Sequence, residues 1–272
     1  MPMWSTTNGT VLTCSGNPIY AVEPLNPLGL PPYTIRCRFN GSYTPSGAWD
    51  SLVCVDSSRN VWDITKKSSD WGDLLGRTAR QNLLEVLGAN TKNVTNMYLL
   101  FASSKITTLP LFDTSSVTNM GWLCSDAQNL VSLPTFDSSN VTDMQYLVYN
   151  CRALTSFPEL RTSSVTTMQG MLSYTRLQEI PLLDTSSVTN MVIMLSNNTS
   201  LRAIPLFNTS SVVDMNHMCS GCFYVQEGAL ALYNQASSQA VPPAKHDYAF
   251  ENCGIYTTSG SSELRQIPSD WK

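Results

Sequence analysis

The sequence predicts an α/β repeat fold, with one short strand and one short helix in every 23–24 residues. Two motif ladders with a shared period lead to this prediction. One is Val-Thr-x-Met, and the other is a proline that follows an apolar residue. A unit of this size cannot bury its apolar face alone. We therefore expect the units to stack into a solenoid with a continuous core.

The Val-Thr-x-Met ladder predicts the helical half of each unit. Five copies and the variant Val-Val-Asp-Met begin at Val94, Val117, Val141, Val165, Val188 and Val212. The residue before each Val is Asn or Ser, and both side chains cap the first turn of a helix. Apolar residues follow at offsets 0, 3, 6 and 7 from the Val, which is one helical face.

Four cysteines occupy apolar positions of this pattern: Cys124, Cys151, Cys219 and Cys222. The last two form a Cys-x-x-Cys pair, a spacing that also occurs in redox and metal sites. No second pair lies near it in the sequence. We expect all four to be small buried hydrophobic residues, with no metal.

The proline ladder predicts the strand half, because proline lacks the N–H that would continue a strand. Its members are Pro110, Pro134, Pro158, Pro181 and Pro205. In a pleated strand the residue before each apolar-Pro pair faces outward. These predicted binding residues are Thr108, Ser132, Ser156, Glu179 and Ala203. A column of small side chains suits an extended, multivalent contact better than a deep pocket.

Aspartates in the linking Asp-Thr-Ser-Ser segments predict turns. They are Asp113, Asp137 and Asp184. Stacked carboxylates are also calcium ligands. Arg161 stands in the middle of their column and favours turn capping, while calcium binding stays open.

Offset 5 of each predicted helix points away from the buried face, yet it collects large side chains. The predicted partner-contact residues are Leu99, Trp122, Tyr146, Ile193 and His217, with Gly170 completing the series. Either flanking segments cover this stripe, or it is an exposed apolar surface of the kind that contacts a partner.

The pattern L-x-x-[LFI]-P-x-F-D-T-S-S-V-T-N-M resembles BspA-type leucine-rich repeats. The similarity is greatest to the variant found in mycoplasma-type surface lipoproteins and gut-bacteriophage proteins. It covers about Leu83–Tyr224. The resemblance implies a leucine-rich-repeat-like solenoid and a non-enzymatic surface-binding role, often adhesion.

Four segments are predicted around this region. Residues 1–32 form a proline-rich extended arm, 33–82 a small β-rich N-terminal cap, 83–224 the solenoid and 225–272 a helical C-terminal cap. The stretch Asp70–Gly88 is predicted to be helical. We expect another chain or the body to hold the arm, which implies a homo- or hetero-oligomer.

Composition narrows the function. With 16 Lys+Arg against 20 Asp+Glu, no basic surface is expected to bind nucleic acid. No apolar run has the length of a membrane span, and the first residues lack the charged and apolar regions of a signal peptide, so neither is predicted. The two histidines have no nucleophile or acidic pair at a catalytic spacing, so neither a catalytic site nor a cofactor is predicted.

The leading interpretation is a bacteriophage virion protein, a tail-fibre, receptor-binding or decoration subunit. Other virion subunits would bind the arm, and a host surface protein or glycan would bind the repeats. The alternative is a bacterial cell-surface adhesin of the BspA type. A carbohydrate-active enzyme is a third reading, but it requires clustered carboxylates, whereas the sequence supplies mostly turn aspartates.

Overall fold

The computed structural model describes residues 13–14, 17–18, 26, 28–41, 43–47 and 49–272. The strands are β1 (Thr13–Cys14), β2 (Asn17–Pro18), β3 (Thr34–Phe39), β4 (Ser51–Asp56), β5 (Val61–Thr65) and β6 (Leu83–Asn90). The helices are α1 (Gly76–Asn82), α2 (Ala229–Ser237), α3 (Thr258–Gln266) and a final 3-10 turn (Ser269–Trp271).

A four-stranded antiparallel sheet forms from β3 to β6, in the order β4-β5-β3-β6. One face of β3 is buried through Ile35, Cys37 and Phe39. On the other face Arg36 donates to both carboxylate oxygens of Asp63, at 2.6 and 2.7 Å. The strands predicted between residues 33 and 67 are present. Their side chains point alternately to the two faces of the sheet, as the alternating sequence predicts.

The strand β6 was not predicted. The stretch Asp70–Gly88 was expected to be helical. Only α1 is a helix, and the prediction is wrong for the rest of the stretch. Residues 83–90 pair with β3 instead. A short apolar run such as Leu-Leu-Glu-Val-Leu fits a buried strand as well as a helix, so periodicity alone does not separate the two.

The predicted α/β leucine-rich-repeat-like solenoid, with one strand and one helix per unit, is wrong. Residues 91–228 contain turns and isolated bridges, without a helix or a strand. The regular secondary structure of the described residues is the small antiparallel sheet, the β1–β2 pair and three short α-helices.

Backbone geometry explains why the helices do not form. A run of turns follows each Val-Thr-x-Met motif, and we call it a turn segment. In the first turn segment Leu99 and Ser103 have φ values of 60° and 57°, which a right-handed helix excludes. The Leu99 N–H donates to Gly121 O at 3.1 Å, in the next turn segment. The Leu100 N–H donates locally, to Met97 O at 3.2 Å. Donors that alternate between the next segment and a local turn cannot make the i to i−4 bonds of a helix.

Successive turn segments lie side by side. Their isolated parallel bridges join Asp70↔Asn96, Asn96↔Asn119, Asn119↔Asp143, Asp143↔Thr167, Thr167↔Asn190, Asn190↔Asp214 and Asp214↔Lys245. Most of these Asn and Asp side chains also accept from the backbone N–H two residues later, as Asn96 does from Tyr98 at 2.9 Å. The bridged residues therefore tie each segment both to itself and to its neighbours.

Buried hydroxyls make a second set of bonds between segments. Thr114, Ser138, Thr162 and Thr185 are at most 1% exposed. Each donates to a backbone carbonyl of the following segment at 2.8 Å. This arrangement accounts for part of the unusually high content of 34 Ser and 27 Thr.

The proline-containing half of each unit forms no strand either. A few single backbone bonds cross between neighbours there, such as Val131 N–H to Thr107 O at 2.9 Å. Proline supplies no donor and restricts the residue before it. One bond per segment does not make a ladder.

The predicted helical C-terminal cap is also wrong. Residues 245–254 add another turn segment, since Met215 and His217 donate to Lys245 O and Asp247 O, both at 2.9 Å. The helices α2 and α3 lie in sequence before and after this segment. A cap would require the helices to end the stack of turns, whereas the turns continue beyond α2.

Most of the predicted arm, residues 1–32, lies outside the described residues. Its described end packs against the sheet. Leu30 is 3% exposed, and its carbonyl accepts from the side-chain amide of Asn90 in β6 at 2.9 Å.

The core follows the burial pattern that the sequence predicts. Val94, Met97, Leu100 and Phe101 are all 0% exposed, and equivalent positions of later segments are buried too. The four predicted cysteines are likewise fully buried. Burial raises the pKa of Cys151 and of Cys222 to about 12, so these thiols stay protonated at neutral pH.

Candidate functional site

A column of residues with positive φ runs along the turn segments. We call it the left-handed column; its φ values are 60° at Leu99, 58° at Trp122, 54° at Tyr146, 60° at Gly170, 48° at Ile193, 55° at His217 and 56° at Tyr248. It contains all five predicted partner-contact residues. Large side chains seldom occupy this backbone region, and a β-branched one such as Ile193 is a clear outlier.

Hydrogen bonds between segments hold the column in place. The N–H of Trp122 donates to Gln145 O at 2.8 Å, and that of Tyr146 donates to Gln169 O at 2.7 Å. Ile193 donates to Asn216 O at 2.9 Å. The surrounding structure therefore determines the backbone conformation whatever the side chain.

A second set of positive-φ residues lies four positions after the members of the left-handed column. Most of its members are small or polar residues, which commonly adopt positive φ. Its members are Ser103, Asp126, Asn150, Tyr174, Asn197, Gly221 and Asn252. Asn, Asp and Gly tolerate this region at little cost. The large residues of the left-handed column are therefore not a general feature of these turns.

Four rings form what we call the aromatic face: Trp122, Tyr146, Tyr149 and Tyr174. The Trp122 and Tyr146 ring centroids are 4.1 Å apart at 31°. Tyr149 meets the rings of Tyr146 and Tyr174 edge-on, each at 5.4 Å. Tyr174 is 37% exposed and the other three are half-buried, so part of the face is accessible to solvent.

Gly170 makes room for one of these rings. A Cβ atom at this position would lie 2.5 Å from Cδ1 and Cε1 of Tyr146. The Tyr146 hydroxyl accepts from the Gln169 amide at 2.8 Å, which fixes the other end of the ring. The glycine in the predicted stripe thus supports the aromatic face.

The two histidines stack on aromatic rings. His217 lies 5.0 Å from Tyr248 at 17°, and His246 lies 4.1 Å from Trp271 at 16°. Sequence reasoning missed Tyr248, because the insertion that contains α2 lengthens the spacing to 31 residues there. Cys222 and Cys253 are separated by the same number of residues as His217 and Tyr248, and this repeated cysteine could have indicated Tyr248.

The predicted binding column lies at the surface. Thr108, Ser156 and Glu179 are exposed, while Ser132 and Ala203 are half-buried. Ser156 and Glu179 line one open depression of about 520 Å³ with Phe157, Glu159, Gln178 and Ile180 among its other walls. The structure thus brings two of the five predicted residues to one depression.

The turn aspartates point into their own turns. Asp113 Oδ1 accepts from the N–H and hydroxyl of Ser115, at 3.0 and 2.6 Å. Asp184 accepts in the same way from Ser186, and these bonds lower its pKa. Within the described part of the chain, no three His, Cys, Asp or Glu side chains group in a way that would hold a metal ion.

The chemistry available on the aromatic face is non-covalent. Among its groups, Tyr149 has a pKa raised by burial and then by Tyr174, so it remains a neutral phenol. Aromatic rings with polar edges provide large contact area at low conformational cost. The arrangement therefore suits recognition of another surface.

The helices of the described residues are all too short or too polar to cross a membrane.

Comparison with known proteins gives one match. Residues 76–179 and 174–241, more than half of the chain, match the family described as Mycoplasma protein of unknown function, DUF285. No curated protein and no solved structure matches the chain. The matched residues contain all of the left-handed column except Tyr248, together with the whole aromatic face. The chain therefore belongs to the DUF285 family of Mycoplasma proteins of unknown function.

Proposed function

We propose that this chain is a non-enzymatic binding protein that presents its turn segments to a protein or glycan at a host surface. The observation that carries this proposal is the half-exposed aromatic face, in which Trp122 and Tyr146 occupy left-handed backbone positions.

The large side chains of the left-handed column carry an energetic cost. A non-glycine residue in an unfavourable backbone region costs about 1 kcal/mol or more. Asn or Gly would avoid most of that cost, as they do at Asn150 and Gly221. Ring stacking returns about 0.5–1.5 kcal/mol at Trp122 and Tyr146. Leu99 and Ile193 are aliphatic and cannot gain this ring-stacking energy, which supports a role in contacting a partner.

The test compares adsorption of the purified protein to intact bacterial cells. The double variant Trp122→Asn with Tyr146→Asn keeps residues that suit positive φ and removes the rings. We expect it to lose most of the binding, while Leu206→Ser, which removes a side chain that is 55% exposed, leaves binding unchanged. Equal binding by wild type and the double variant would overturn the proposal.

The proposed setting is a bacteriophage virion, with the chain as a tail-fibre, receptor-binding or decoration subunit. The weakly charged, Ser/Thr-rich composition and the resemblance to gut-bacteriophage proteins support this setting. Partner subunits would bind the arm, residues 1–32, in a homo- or hetero-oligomer. Mass spectrometry of purified particles from a phage that encodes the gene should find the chain at fixed stoichiometry. Its absence from such particles would remove the virion proposal.

A bacterial cell-surface adhesin is the second candidate. Membership in a family described from Mycoplasma favours it. On the basis of the two motif ladders, we propose that the chain is related to BspA-type surface proteins. Surface biotinylation of bacteria that express the full gene distinguishes the two settings, since only an adhesin is labelled on uninfected cells.

A further inference from the structure

A cavity at one end of the four-stranded sheet gathers two arginines. It has a volume of about 420 Å³, and its walls include Arg38 and Phe39 of β3, Ser58, Arg59 and Asn60 of the turn between β4 and β5, and Leu84 of β6. Its walls share no residue with the aromatic face.

Both guanidinium groups have donors to spare. Arg38 uses Nε to donate to Glu85 Oε2 at 2.9 Å, and its side chain is 33% exposed. Its other nitrogens bond to nothing within the described residues. The side chain of Arg59 is exposed and makes no hydrogen bond or ion pair in the described part of the chain. Two positive groups therefore line one cavity, and within the described residues the terminal nitrogens of both guanidinium groups make no hydrogen bond.

The nearby carboxylates are already engaged. Glu85 Oε2 accepts from Nε of Arg38. Asp56 Oδ1 accepts from Ser58 N–H, Ser58 Oγ and Arg59 N–H, at 3.0, 2.7 and 3.1 Å. These bonds, and to a smaller extent the nearby charge of Arg59, lower the pKa of Asp56, whose Oδ1 is held within its own turn. Neither carboxylate lines the cavity.

The backbone beneath the arginines is fixed. Asn60 has a φ of 55°, and its amide donates to Tyr43 O at 2.8 Å. Its Oδ1 accepts from Trp62 Nε1 at 2.7 Å. A turn tied in this way holds Arg59 near the cavity before any ligand arrives, which lowers the entropic cost of binding.

We propose that this cavity binds a sugar-sized organic anion, with its carboxylate or phosphate group between Arg38 and Arg59. Guanidinium groups match the geometry of both anions through paired N–H donors. A cavity of this size accommodates a small ligand. Phe39 and Leu84 supply apolar walls for the carbon skeleton, and Ser58 supplies a hydroxyl at the rim.

Isothermal titration of the full chain tests this with glucuronate, glucose 6-phosphate, inorganic phosphate and glucose. We expect both acidic sugars to bind, with the tighter one identifying the preferred anion. Glucose should not bind, and inorganic phosphate should bind several-fold more weakly than glucose 6-phosphate. Equal binding of the two phosphates would refute the sugar-sized ligand, and absence of binding by both acidic sugars would refute the site.

Two variants and a matched control assign the binding to this cavity. Arg59→Gln removes the charge of an exposed side chain that makes no hydrogen bond within the described residues, so the fold should persist and affinity should fall about tenfold or more. Glu85→Gln removes a negative charge and should strengthen binding. Arg77→Gln removes an exposed arginine of α1 outside the cavity and should change nothing. Equal losses in Arg59→Gln and Arg77→Gln would show non-specific charge attraction and overturn the proposal.

Discussion

Replacing Gly170 with alanine should destabilise the protein through two separate effects. Gly170 has a φ of 60°, a backbone conformation that costs an L-residue about 1–2 kcal/mol. The new Cβ would also lie 2.5 Å from the Tyr146 ring, which must then move. Forcing an extra methyl group into a packed contact costs about 1–3 kcal/mol. The expected total is about 2–5 kcal/mol, as the sum of these two contributions.

A double-mutant cycle separates the two contributions. In the Tyr146→Asn background the ring is gone, so Gly170→Ala should cost only the backbone share, about 1–2 kcal/mol. Urea unfolding followed by far-UV circular dichroism measures all four proteins. Gly41→Ala is the matched control, because Gly41 has a φ of 50° and open space where the Cβ would lie. An equal cost of Gly170→Ala in both backgrounds would refute the proposed support of the aromatic face.

Four further predictions concern the interior and its cysteines. Thr162→Val should cost about 0.5–1.5 kcal/mol, because the buried Thr162 hydroxyl no longer donates to Asp184 O of the next segment; urea unfolding measures this. Asn198→Ala should cost about 3 kcal/mol or more by the same measurement, since this fully buried amide makes hydrogen bonds to three residues. Stability should fall as the pH rises above 9, because unfolded thiols deprotonate there while Cys151 and Cys222 hold their protons to about pH 12. In the folded protein a thiol reagent should label the exposed Cys54 and spare these two.

Controls for these predictions come from the same chain. Thr166→Val removes an exposed hydroxyl that also bridges two segments, so it should be close to neutral. Asn129→Ala alters an exposed amide and should change stability little. The account of the interior would be contradicted if Thr162→Val or Asn198→Ala lowered the free energy of unfolding no more than these controls do. Rapid labelling of Cys222 before unfolding would contradict its burial.

The sequence predicts which residues are buried better than it predicts backbone conformation. Apolar offsets of 0, 3, 6 and 7 identify Val94 and Met97 as core, and both are fully buried. The same offsets predict a helix, which is wrong, because side-chain periodicity carries no information about the sign of φ at Leu99. Alternate hydrogen-bond donors of the expected helices go to residues 22 or 23 positions away, as from Leu99 to Gly121 and from Trp122 to Gln145, and no local pattern reports such distant partners.

The candidate site was partly predictable. The offset-5 stripe indicated Trp122 and Tyr146 because large side chains at a solvent position are conspicuous. Tyr149 and Tyr174 were missed, since they enter the aromatic face only when the turns bring their rings together. The arginine cavity was missed as well. Arg38 and Glu85 are far apart in sequence, and only the pairing of β3 with β6 makes them neighbours.

The most direct test of the central claim is adsorption of purified protein to intact bacterial cells, with wild type compared against the Trp122→Asn, Tyr146→Asn double variant. Both proteins should first show the same circular dichroism spectrum. The account predicts that wild type binds and that the double variant loses most of this binding. Equal binding by the two folded proteins would show that the aromatic face does not serve recognition.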